Sequence, residues 1–223
     1  MSQAGRSVDG MANARLRQLE DVADEAIHGC ALVLSLLALL FLSENSPRQV
    51  GVFESASPAL FGATMLLVFA ASSMNRRSQG HRTGPVFQAI DHCAIFLLIA
   101  GTYTPVSLLA FGAGAGWDLF ATVWTMAMAG IALRVFWARG FSRVALALYL
   151  GTGWIGALWA SEFGVWMGTF GGWLLAGGVA YTLGVVFFAS RLPFGNAIWH
   201  LFVVVGSACH FCAVAFYILP LRA

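Results

Sequence analysis

Apolar residues run through this chain in long unbroken blocks separated by short polar stretches, with neither strict alternation nor a narrow one-sided stripe. A helix crossing a bilayer needs roughly 20 mostly apolar residues, because a rise of about 1.5 Å per residue must cover the hydrocarbon core. Seven blocks approach or reach that scale, at residues 25–42, 53–74, 89–111, 117–137, 141–160, 166–189 and 197–219. Alternating segments of about ten residues, the mark of a membrane barrel, do not recur. The backbone must then be satisfied within helices. The pattern predicts an all-α integral membrane protein, a bundle of seven transmembrane helices over residues 25–219, with a tail at 1–24 and a short end at 220–223.

Composition agrees: 59% hydrophobic and 10% charged residues exclude an ordinary soluble domain. The tail carries Arg6, Arg15 and Arg17 with no early apolar block, so no cleaved signal peptide is expected. Its segment 11–24 suits a short amphipathic surface helix and a disordered tail equally. Cys30, Cys93, Cys209 and Cys212 all fall inside predicted spans, where packing thiols are expected rather than a disulfide framework.

Charge sets the orientation. All twelve basic residues are arginine. Arg6, Arg15, Arg17, Arg76, Arg77, Arg82, Arg134, Arg139, Arg143 and Arg191 fall on one side of the predicted bundle, and only Arg48 and Arg222 on the other. The positive-inside rule then puts the N-terminus in the cytoplasm and the C-terminus outside. The lack of lysine excludes a retinal Schiff base, and the orientation is opposite to that of G-protein-coupled receptors. Abundant Ala, Gly and Arg suit a GC-rich bacterial genome and hence the inner (cell) membrane of a bacterium.

With orientation fixed, scattered polar residues become a layer. Asp24 and His28 open the first span, Ser72 and Asn75 close the second, Asp91 and His92 open the third, and Asn196 and His200 open the seventh. Ionisable groups within spans usually face a bundle interior or a watery cavity. A cytoplasm-facing polar cavity is the expectation, while Glu20 and Arg76 are expected to snorkel to the headgroups. His210, about 15 Å deeper than His200 along the same helix, is expected to bond a neighbouring helix in the core. Gly172, Ala176, Ala180 and Gly184 form a small-residue face for close packing, within the bundle or in a homo-oligomer. Pro105 predicts a kink eased by Thr102 and Thr104, and Trp117, Trp166 and Trp173 read as interfacial anchors.

The phrase AIDHCAIFLLIAGTYTP at 89–105 resembles the signature of the hemolysin III family, part of the progestin and adiponectin receptor superfamily. EDVADEAIHG at 20–29 and NAIWHLFVVVGSACHF at 196–211 resemble its first and last helices. The resemblance implies a zinc site near the cytoplasmic face, with histidines from the second and seventh spans and an aspartate of the third, here Asp91. It also implies a lipid-amide hydrolysis, as in ceramide-cleaving relatives. This chain departs from that pattern: Asn75 and Asn196 stand at two of the histidine positions, and Asp24 replaces a usual asparagine.

Amides are poor zinc ligands. The sequence therefore favours a non-metal network of Asn75, Asn196, Asp91 and His200, in a membrane protein acting on membrane or lipid state without catalysis. A metal-assisted lipid amide hydrolase is the alternative, with zinc on His200, Asp91 and His28 and with Asp91 catalytic. A pore-forming or haemolytic role ranks third. Membrane lipids are the expected partners, and no nucleic acid is expected.

Overall fold

The structure is a computed structural model describing residues 3–111, 113–159, 170–190 and 192–222, with the side chains of 3–14, 138–140, 142 and 143 outside the description. Among these residues the chain is all-helical: α1 Gln3–Glu44, α2 Val52–Arg77, α3 Gly84–Pro105, α4 Ala115–Phe136, α5 Ala138–Trp154, α6 Gly171–Ala189 and α7 Gly195–Ala213. Six helical stretches are long and apolar enough to cross a membrane, and the fifth, Val144–Trp159, is apolar but shorter. The expected span boundaries at 160 and 166, with Trp166 and Arg191, lie outside the described residues.

Helix ends follow local chemistry. Pro85 sits in the first turn of α3, where a missing N–H is harmless. Gly80 and Gly114 take positive φ in the turns before α3 and α4, where a side chain would be strained. At Pro105 α3 gives way to a π-helical stretch, Val106–Phe111. Thr102 and Thr104 donate to the carbonyls of Ile99 and Ala100, both at 2.7 Å. These are not the carbonyl of Gly101, which the proline leaves without its usual donor; the widened turn absorbs that mismatch. The 11–24 segment is neither a separate surface helix nor a loose tail, since α1 runs through it without a break.

Consecutive helices pack side by side, and α7 returns against α1, closing a ring. One core joins α1, α2, α3 and α7 through Leu42, Phe61, Phe69, Leu98 and Val214. A second joins α3, α4 and α5 through Phe96, Leu119, Val123, Phe141 and Tyr149. The predicted small-residue face is split between environments. Ala180 and Gly184 are buried, and a Cβ at Gly184 would lie 2.8 Å from Phe202 and 2.9 Å from Trp199 of α7, whereas Gly172 and Ala176 are exposed. Only part of that face therefore serves packing within the bundle. His210 behaves as expected, its Nε2–H donating to the Leu174 carbonyl of α6 at 3.2 Å.

The closest helix approach is between α1 and α2, where a Cβ on Gly62 would lie 2.6 Å from the Leu39 Cα. Backbone cannot yield as a side-chain end can. Gly62→Leu is expected to lower stability by about 1–3 kcal/mol, read as a fall in melting temperature in detergent; an unchanged melt would mean the helices separate freely there.

Candidate functional site

The polar layer condenses around Asp24, which is only 3% exposed. Asp24 and His28 sit one turn apart on α1, and α2 ends beside them with Ser72, Asn75 and Arg76. The start of α7 supplies Asn196 and His200. The Arg76 guanidinium pairs with Asp24 Oδ2 and also donates to the Asp21 carbonyl at 2.5 Å. His200 Nδ1–H donates to Asp24 Oδ1 at 2.7 Å, and Asn196 Nδ2 lies 3.5 Å from Oδ2. Both oxygens of the carboxylate are thus engaged.

The two imidazoles meet edge to face with centroids 4.2 Å apart. His28 Nδ1–H donates to the Asp24 carbonyl at 2.7 Å, because a carbonyl oxygen can only accept. Its Nε2 is 3.1 Å from Ser72 Oγ, which is 3.2 Å from His200 Nε2. One hydroxyl therefore lies between two imidazoles from different helices.

The remaining predicted residues stand apart from this hub. Asn75 donates to Asp91 Oδ2 at 2.8 Å, so Asp91 joins the layer through Asn75 rather than in the His cluster. His92 accepts from Arg134 Nε at 3.0 Å, and Tyr149 donates to the His92 carbonyl at 3.1 Å. The network expected around Asp91 is centred instead on Asp24, because α1 enters the bundle between α2 and α7.

Two residues expected at the headgroups belong to the site. Arg76 holds Asp24, and Glu20 accepts the backbone N–H of Phe194 at 2.6 Å. Phe194 has φ of 60° just before α7, a left-handed position uncommon for a bulky residue, so the Glu20 contact fixes where α7 begins. A sequence signal existed for Arg76: a carboxylate deep enough to be buried requires a cation at its own level. Arg134, 8% exposed and lying over the Phe141 ring, was also unanticipated as a partner of His92.

Asp24, His28 and His200 bring potential ligand atoms within 4.8 Å of one another. They do not form the zinc set that the resemblance implies. Two of its imidazole positions are amides, Asp91 is bonded to Asn75, and a cation at Asp24 would have to displace the Arg76 guanidinium already there. Zinc prefers three or four imidazole, thiolate or carboxylate donors, so the residues present do not fit a resident zinc ion.

A cavity of about 700 Å³ opens from this layer into the bundle. Asp24, His28, Ser72, Asn75, Asp91, His92, Asn196 and His200 line its polar end, while Ile95, Leu98, Leu146, Leu150, Leu174 and Val203 line its apolar remainder. His210 also lies on its wall, about 15 Å along α7 from His200.

Such a bundle of long apolar helices defines a multi-pass, all-α membrane protein. The chain belongs to the haemolysin-III-related family, whose model matches residues 18–211. It is 36% identical to Hemolysin-3 of Bacillus cereus over 207 residues, covering 90% of this chain and 93% of that one. It is 34% identical to the Hemolysin-3 homolog of Bacillus subtilis (strain 168) over 204 residues, covering 89% and 94%. A more distant relative, the human monocyte to macrophage differentiation factor, is 29% identical over 174 residues, covering 74% of this chain and 72% of that protein.

Proposed function

We propose that this protein is a seven-span bacterial inner-membrane protein, N-terminus in the cytoplasm, that holds one lipid in its cavity and acts in membrane or lipid homeostasis. The arginine bias supports the orientation. The observation that carries the reading is the cavity itself, polar at one end and apolar along the rest, on the scale of a drug-sized or lipid-sized ligand. A headgroup would meet the Asn75, Asp91, Asn196 and His200 end, while an acyl chain would lie against Ile95, Leu146 and Leu174.

Asp24, Arg76 and the two asparagines offset each other's charge and hydrogen-bonding needs without an ion. We therefore assign the polar end to binding and positioning, with no metal required. Buried polar groups of this kind hold helices in register when each has a partner.

Gly178 lines the apolar part of the cavity, and a Cβ there would meet only the Trp154 ring, at 3.5 Å. Gly178→Phe is expected to fill the space and to cut the lipid that co-purifies per chain, measured by mass spectrometry of gently solubilised protein, several-fold. Equal lipid content in both proteins would overturn the lipid-holding reading.

A further inference from the structure

Asp24, His200 and Ser72 stand in line. A carboxylate oxygen lies 2.7 Å from one imidazole nitrogen, and the other nitrogen of the same ring lies 3.2 Å from a serine hydroxyl. The geometry points to a metal-free acyl hydrolase, in which Ser72 is the nucleophile, His200 its base and Asp24 the group that orients and steadies His200. It rests on the reading that a lipid enters the cavity, and it names that lipid's class as one carrying an acyl ester or amide near its headgroup.

Such a constellation is recognised by geometry and roles rather than by chain order. Each role has its own support. His200 Nδ1 donates to Asp24, so in the neutral ring Nε2 is bare and accepts a proton. His28 also presents a bare Nε2 to Ser72, but its far nitrogen rests on a neutral backbone carbonyl. Only the His200 cation would face a carboxylate, so the serine proton goes to His200. Arg76 on the second oxygen of Asp24 keeps that carboxylate ionised and fixed. Ser72 lines the cavity although it is 8% exposed, so an acyl carbon lying in the cavity can reach it. Asn75, three residues on and on the same helix face, uses one amide hydrogen on Asp91 and keeps the second for a developing oxyanion.

The chemistry balances without a cofactor. Ser72 Oγ adds to the acyl carbon while its proton moves to His200 Nε2. The tetrahedral centre then collapses, the bond to the leaving alcohol or amine breaks, and that group leaves with the proton from His200. Water, delivering its proton to His200, adds to the acyl-serine carbon. The fatty acid leaves as Ser72 recovers its hydrogen from His200.

The test uses the full chain in detergent with a long-chain alkyl fluorophosphonate, which would lose fluoride to the serine oxygen. The expected result is one covalent adduct, mapped to Ser72 by peptide mass spectrometry, insensitive to chelator and absent in Ser72→Ala. Asp24→Asn and His200→Gln should slow labelling about a hundredfold or more, whereas His28→Gln should slow it less than tenfold. Co-purified lipid is measured on the same samples, and gel filtration confirms that each variant is folded. Bound lipid with no label on the wild type overturns the hydrolase and leaves lipid binding standing, as does equal labelling of Asp24→Asn and wild type. Label on Ser72 without co-purified lipid supports the hydrolase and counts against the lipid-holding reading. Labelling abolished by chelator and restored by zinc overturns the metal-free assignment.

Discussion

Asp24→Ala is expected to lower the stability of the bundle by about 3 kcal/mol, the cost of leaving one member of a buried ion pair alone. Removing the carboxylate strips His200, Asn196 and Arg76 of a shared acceptor at once, while Asp24 itself is almost entirely buried. Arg76→Ala should cost less, because the arginine is partly exposed and its loss leaves Asp24 with His200 and Asn196 as donors. The two changes should not add, since both break one pair. A double-mutant cycle of melting temperatures in detergent checks this. Additive losses would mean that the pair contributes nothing to the fold.

Phe96→Ala is expected to cost about 3–5 kcal/mol, the usual range for emptying a buried phenylalanine site. Phe96 is 0% exposed, and its ring centre lies 4.7 Å from that of Tyr149. Tyr149 lines the cavity and holds the His92 carbonyl, so the hole would loosen the wall between α3 and α5 as well as the core. The expected readings are a large fall in melting temperature and faster hydrogen exchange in α5. A small change confined to Phe96 would show that this core repacks without moving the cavity.

Much of the architecture was legible because the signal is long and repeated. A membrane helix must be apolar over most of its length, so α2, α3, α4 and α7 fall close to where hydropathy puts them. Boundaries were less legible. The first block begins at Glu25 by hydropathy, yet α1 continues far outside it, because hydropathy reports the apolar run and not where hydrogen bonding stops. The site was legible as a layer: Asp24, His28, Ser72, Asn75, Asp91, His92, Asn196 and His200 all line one cavity end. Its internal partners were not. Asp91 and Asp24 are both buried-side carboxylates of the same layer, and a linear reading has no means of telling which one faces His200.

The departures from the family pattern show the same division. Asn75 and Asn196 were visible as losses of imidazole. The meaning of Asp24 emerges only once Arg76 and His200 are seen on its two oxygens.

The sequence alone therefore determined the solvent, the helical class, the family and the membrane level of the polar residues, since each depends on composition or spacing along one chain. Tertiary structure decided which helices are neighbours, and with that which oxygen meets which nitrogen. Hydrogen bonds between α1, α2 and α7 join residues as far apart as Asp24 and His200, and over such a separation a distance of 2.7 Å is set by packing, not by sequence spacing.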